Sequence, residues 1–500
     1  MDTRQRLWTW ALLGLLACTA SIPLAATVFP TQDGPVHLYY ADVLRGVLTH
    51  SAPYAQHFEI KSLLTPYALE YYSLLALETV FSPEWSEKVL VACYIFAFGM
   101  GFRYLVESVA ERGSPWILAG VPFCMHMLVY MGFLNYSLAV TELLFLCGGW
   151  IRYSGSLTRG RAAGLLGGLI LMLLTHPVPV AVFLLFIGVY FVSEGRRARR
   201  SSLVLTVAMG AIALLWVARF AGGQRDAFDQ NHVSTWGWFN AVATELQLYP
   251  VAPFRKLLYR AGPIVSMVFA CVTSIAGWRR GRNSAALALL ATSGICFLLY
   301  CLVPERVSGG YYFAERFPIL WILFLLAGAS ALRMPRGWSL AAGAIAATVA
   351  GAVLLQQWAN VSEIASRIAR AQDVPPAVAG SVGLIVGSRR PMPDGLAFNP
   401  YLWSGVPYFR RSRAILGNEP WMDEPVMMLR PAHPDRWSYR DPDSARQALE
   451  AATAEAPPIQ SPDFVVQAGQ IDWELDGILK SWGWSDSEPA GPAIRVYRRR

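Results

Sequence analysis

The stretch LWTWALLGLLACTASIPLAATVFPTQDGPVHLYYADVL, residues 7–44, holds the two readings on which the fold turns. Residues 7–29 carry no charge and are long enough to cross roughly 30 Å of hydrocarbon. They follow Arg4 and Arg6 and exceed a secretory h-region of about 7–15 residues, so they read as a retained signal anchor. The rival reading is a cleaved signal peptide with Ala25 and Ala26 as its small residues. Residues 31–44 then place an acid, a glycine, a proline and a histidine at the exit of this span. A plain connector needs none of that chemistry.

The rest of the chain repeats the first reading. Of 500 residues 54% are hydrophobic and only 15% charged, too little charge to coat a soluble protein of this size. Mean hydropathy is +0.36. Apolar runs at 7–28, 88–106, 115–131, 134–151, 162–175, 178–193, 202–220, 259–278, 283–303, 317–332 and 338–357 predict a polytopic α-helical membrane protein of about eleven spans. The net charge of +8 does not argue for nucleic acid as a partner, because the arginines cluster between the spans. One set of connectors is basic: TRQR, FRYLVESVAER, IRYSGSLTRGR, SEGRRARRS, GWRRGRN and LRMPRG. By the positive-inside rule these face the cytoplasm, as does the N-terminus. The opposite set (29–87, MGFLN, THPVP, 221–258, PERVSGGYYFAER and everything after 358) faces outward. All seven cysteines lie in apolar runs, which leaves no disulfide framework outside the membrane.

Two outward segments have an organisation of their own. The loop 29–87 contains a helix from about 35 to 48, with Val36, Tyr40, Val43, Leu44 and Val47 on one stripe. Its second helix, 67–81, is apolar but carries Glu70 and Glu78, which are costly in lipid, so both read as interfacial helices or helices packed on the bundle. After 358 the composition turns rich in Pro, Arg, Asp and Glu, with strand-like VGLIVG and DFVVQA and a helix over PDSARQALEAATAEAP. The expected division is a membrane domain over 1–358 and an outer α+β domain over 359–500.

The polar residues gather at the outer ends of the spans. Asp33 can cap the helix that Pro35 opens. Asp33 and His37, four apart, also share one helical face, where an acid and an imidazole can hold a metal ion or move a proton. Asn135 sits between two spans, and His176 lies beside Pro177, where helix-end bonding is its plain role. PERVSGGYYFAER supplies Arg306, Tyr311, Tyr312, Glu315 and Arg316. The arginines can snorkel or pair with Glu315, but cations on the outer face run against the charge bias and suit a bound anion. The tyrosines fit an aromatic belt as well as a sugar face.

This layout resembles the GT-C-type membrane glycosyltransferases, the group of the protein O-mannosyltransferases and bacterial aminoarabinose transferases. The resemblance rests on an acidic residue, Asp33, directly after the first span, on interfacial helices in the first outer loop, and on an outer C-terminal domain. It implies an enzyme of a bacterial inner membrane with a periplasmic C-terminal domain. The implied donor is a polyprenyl-phosphate-linked sugar, and the acceptor is a glycan, a lipid or a protein. Asp33 would be the base in an inverting transfer, with Arg316, Arg306 and His176 at the donor phosphate. The chain departs from the group at Asp33-Gly34, where protein O-mannosyltransferases carry an acidic pair, and its outer loops hold no Asp-x-Asp. Metal dependence therefore stays open; Asp33 and His37 are the residues that would hold a divalent cation, Mg or Mn. The rival readings are an O-antigen ligase or polymerase, a lipid or polysaccharide transporter, and a scaffold whose YLWSGVPYFRRSRAILGNEPW binds carbohydrate.

Overall fold

The computed structural model describes residues 3–110, 113–195, 200–221, 283–303, 312–331, 336–369, 377–386, 402–403, 406–416, 429–431, 463–468, 473–481, 483–486 and 494–499. In chain order the helices are α1 (Thr3–Ala25), α2 (Gly34–Leu48), α3 (Tyr54–His57), α4 (Ala68–Leu77), α5 (Pro83–Val109), α6 (Met127–Tyr130), α7 (Leu134–Tyr153), α8 (Arg159–Thr175), α9 (Pro177–Glu194) and α10 (Arg200–Ala221). There follow α11 (Ser284–Leu302), α12 (Phe317–Ala329), α13 (Arg336–Ala369), α14 (Val406–Ser412) and α15 (Trp473–Ser481). The strands are β1 (Phe58–Ile60), β2 (Val382–Val386), β3 (Ile415–Leu416), β4 (Leu429–Pro431), β5 (Phe464–Ala468), β6 (Trp484–Asp486) and β7 (Ile494–Arg499).

Among the described residues seven helices are long and apolar enough to cross a membrane, over 5–25, 83–109, 134–156, 177–194, 200–219, 284–302 and 339–366. These helices match seven of the eleven expected runs. The run 115–131 is a 3-10 segment, Pro115–Phe123, which Pro115 opens, followed by the single turn of α6; Pro122 interrupts the backbone ladder between them. The runs 162–175 and 317–332 form helices of 17 and 13 residues, both short for a span. The run 259–278 lies outside the described residues, as does the helix read over 442–457.

The chain divides into two compact units. The first comprises residues 1–22, 91–129 and 134–357 and is a helical bundle. Its α12 is apolar on every side and all its residues are buried, as such a helix must be to escape solvent on every face. Ser293 on α11 donates to the Trp321 carbonyl at 2.8 Å, and Phe186 of α9 stacks on Phe324 with ring centroids 6.2 Å apart. Glycine allows the closest helix approaches: a Cβ at Gly99 would lie 2.5 Å from a Leu16 methyl.

The second unit joins residues 23–90 and 130–133 to 358–500. Its five-stranded mixed sheet has the order β3-β2-β5-β7-β6. β2 runs parallel to both β3 and β5 (Leu384 opposite Val465), and β7 is antiparallel to β5 and β6 (Val466 opposite Val496). The strands expected from VGLIVG and DFVVQA are β2 and β5. β1 of the first outer loop pairs antiparallel with β4. The stripe on α2 is buried here: Val36, Tyr40, Val43 and Leu44 share one core with Ile385, Trp403, Phe409, Ile415, Phe464 and Val496. α4 has ten residues; its Glu70 lies beside His37 of α2, and Glu78, just past its last residue, pairs with Arg45 of α2.

Candidate functional site

The second unit presents Asp33 on a constrained turn. The Gln32 N–H donates to the Tyr130 carbonyl at 2.8 Å and the Asp33 N–H to Met131 at 3.1 Å, so the turn is pinned to the segment 130–133. That approach requires glycine twice. Gly132 has φ +88°, and a Cβ there would meet the Gly34 nitrogen at 2.7 Å. A Cβ on Gly34 would strike the Thr31 hydroxyl at 2.0 Å and Glu87 Oε1 at 2.1 Å. Pro35 then opens α2, its fixed φ matched to the first turn.

Asp33 occupies the cap position, but its carboxylate does not cap; the side chain makes no bond to the helix N-terminus. Instead it accepts hydrogen bonds from the Gln32 amide, 3.4 Å away, and from the Trp403 side chain. Burial pushes its pKa up to about 7, against the pull of these two bonds. His37, one turn on, is also buried, and burial alone holds its pKa down to about 4. Its Nδ1 lies 3.1 Å from the Tyr71 hydroxyl and 3.8 Å from Glu70 Oε1. The ring is neutral at pH 7, so the contact with Glu70 is not an ion pair there.

Sequence reasoning missed three further groups around this turn. Glu87 Oε1 accepts from the Thr31 hydroxyl at 2.8 Å and lies over the Gly34 backbone. Lys88, buried, donates to the Ala26 carbonyl at 2.6 Å and stands 4.7 Å from the Trp85 ring centroid. Trp403 comes from the far end of the chain. A charged pair at the mouth of the span 88–106 was a legible signal for Glu87 and Lys88; for Trp403 there was none beyond the aromatic content of its segment.

In the first unit, Tyr136 organises three of the other residues singled out by sequence. Asn135 Oδ1 accepts from the Tyr136 N–H at 2.7 Å, the Tyr136 hydroxyl donates to the Arg316 carbonyl, and the His176 ring stands edge-on to Tyr136 at 5.2 Å. His176 caps α9, its Nδ1 accepting from the Val178 N–H at 3.2 Å, which places the proton of the neutral ring on Nε2. Burial, with Arg316 nearby, holds its pKa well below the usual histidine range. Arg316 stands 5.7 Å from the Phe313 ring centroid. Tyr312 takes a left-handed backbone conformation, φ +59°, and Glu315 precedes Arg316 in one 3-10 turn. Arg306 and Tyr311 lie outside the described residues.

A cation at Asp33 fits this donor set poorly. Trp403 offers only an N–H to its carboxylate, and Gln32 turns its amide N–H toward it, so neither presents a ligand atom to a cation there. Among the described residues no cluster of three or more His, Cys, Asp or Glu converges.

The fold, a membrane-helix bundle and a second unit that holds both the mixed sheet and the first outer loop, is of the GT-C type found in membrane glycosyltransferases. The chain superposes on ArnT from Cupriavidus metallidurans, an aminoarabinose transferase, in its apo state, with a TM-score of 0.54 and 12% identity, covering 98% of this chain and 97% of that one. It also superposes on the mycobacterial arabinofuranosyltransferase AftD, with a TM-score of 0.53 and 14% identity over 98% of this chain, which spans only 40% of AftD. No protein-family model matches the chain, and no curated protein matches it in sequence.

Proposed function

We propose that this protein is a membrane glycosyltransferase that moves a sugar from a polyprenyl-phosphate donor to an acceptor hydroxyl at the outer face of a bacterial inner membrane. One observation carries the reading. Asp33 follows the first span directly, and its buried carboxylate is held by neutral donors at a pKa of about 7. A base poised near the working pH is what proton abstraction needs. Asp33 takes the acceptor's O–H proton while that oxygen attacks the anomeric carbon. The anomeric C–O bond to phosphate breaks with its electrons, and the configuration inverts.

The leaving phosphate is assigned to Arg316, with Arg306, on the chemistry of guanidinium and phosphate. His176, neutral in its cap, contributes the Nε2–H donor rather than charge. Tyr311 and Tyr312 are assigned to the sugar face, and Asn135 and Glu315 to the support of this group. His37 keeps its neutral ring beside Asp33 and is assigned to orientation. No step is routed through a divalent cation.

The test is transfer from a panel of radiolabelled polyprenyl-phosphate sugars, in membranes carrying equal amounts of wild type or Asp33→Asn. The expected result is transfer by the wild type, lost in the variant and insensitive to EDTA. Robust transfer by Asp33→Asn would sink the mechanism, and transfer abolished by EDTA would restore a metal.

A further inference from the structure

The segment 402–416, from the far end of the chain, grips α2 at three points. Trp403, 1% exposed, hydrogen-bonds the Asp33 carboxylate at the N-terminal end. Further along, the Tyr39 hydroxyl accepts from the Leu416 N–H at 2.9 Å and donates to the Ala414 carbonyl at 3.4 Å. Arg410 of α14 then donates from Nε to Asp42 at 2.7 Å and from Nη1 to Glu84 at 3.2 Å. The Arg410 side chain is 7% exposed and Asp42 19%, so that pair is sheltered from solvent, whereas Glu84 is 48% exposed and adds little. From Asp33 at the cap to positions 39 and 42 of α2 the chain advances nine steps, some 13 Å at 1.5 Å per residue. Packing alone would require apolar contact along α2. It would not require a donor aimed at the one acid that the helix presents at its start.

We propose that Trp403 is a positioning residue for Asp33, its indole N–H fixing the carboxylate while Arg410 fixes the helix behind it, so that the C-terminal domain is part of the reactive centre. This rests on the reading of Asp33 as the base, and it goes beyond that reading by making the reactivity of the acid depend on a residue 370 positions away. The physical effect has a sign. A hydrogen bond donated to the carboxylate favours its ionised form, so removing the donor favours the protonated form.

The experiment uses the full chain in detergent and needs no sugar. Dicyclohexylcarbodiimide adds to protonated buried carboxyl groups and rearranges to a stable N-acylurea, which peptide mass spectrometry locates. Labelling of the peptide containing Asp33 is followed from pH 5 to 9, with labelling at Glu87 and Glu142 as internal references. Wild type should lose Asp33 labelling with a midpoint near pH 7. Trp403→Phe should move that midpoint upward by about one pH unit, the size expected for one bond to a charged group. Arg410→Lys should leave it in place. Should Trp403→Phe fail to give monodisperse protein, 3-benzothienylalanine at 403, which keeps the ring shape and lacks the N–H, replaces it and should give the same upward shift. A midpoint that stays or falls in a folded Trp403 variant overturns the proposal. A wild type that transfers no sugar but shows the shift keeps Trp403 as the holder of Asp33 and strikes only the assigned reaction.

Discussion

Among the described residues the second unit buries two aspartates, and their surroundings are opposites. Asp476 on α15 accepts from Arg495 at 2.8 Å and Tyr497 at 3.0 Å, and its other oxygen meets Lys480 at 3.0 Å. Burial would raise its pKa, but the bonds from Lys480, Tyr497 and Arg495 prevail and hold it below the ordinary carboxylate range. Asp33 is as little exposed but lies deeper among protein atoms, its donors Gln32 and Trp403 are neutral, and its pKa climbs to about 7. A carboxylate saturated by cations is a fixed charge that ties a helix to a sheet. One buried without them exchanges a proton near neutrality. Low exposure is common to both; the depth of protein around each carboxylate and its partner set together separate them.

Four experiments would break or sharpen that contrast. Asp33→Asn should lower transfer about 10³-fold, the range for loss of a general base, measured as kcat at equal expression. Asp476→Asn should leave kcat within twofold yet lower the Tm by several degrees, because it strands the buried Arg495. If the two variants behave alike, the distinction fails.

The second concerns pH. Transfer by the base form requires ionised Asp33, so kcat/KM should rise about tenfold per pH unit below the Asp33 pKa and level off above about 7. His37, with a pKa near 4, stays neutral through that range and adds no limb. A break near pH 4 in place of 7 would show that Asp33 is solvated like a surface acid. Third, Gly132→Ala forces a methyl against the Gly34 nitrogen at positive φ, with a strain of roughly 1–3 kcal/mol. It should lower transfer about tenfold and also lower the Tm. Last, Tyr71→Phe removes the hydroxyl beside His37 Nδ1 and should change kcat only two- to threefold, read in the same assay. A larger loss would move His37 from orientation into the proton path.

The sequence carried the parts of this arrangement that are local. An acid, a glycine and a proline directly after an uncharged run mark the exit of a span and the start of a helix, and the stripe on α2 is visible at helical spacing. Strands β2 and β5 were legible as short apolar runs within a polar domain. Seven of the expected spans are long apolar helices, and the run 115–131 is not one, because hydropathy registers apolar length and not the break that Pro122 imposes on the backbone ladder. The surroundings of Asp33 were illegible for a different reason. Its neighbours Glu87, Met131 and Trp403 come from three distant segments, and no spacing rule connects them.

The unit that holds Asp33 is built from both ends of the polypeptide, with Tyr39 bonded to a residue 377 positions later. During synthesis α2 is therefore made early and waits, its apolar stripe uncovered, until the segment carrying Trp403 and Leu416 emerges. Contacts of such sequence separation form late and slowly. A ribosome that stalls before residue 400 leaves a chain with its long apolar helices made, Asp33 without Trp403, and the apolar face of α2 uncovered.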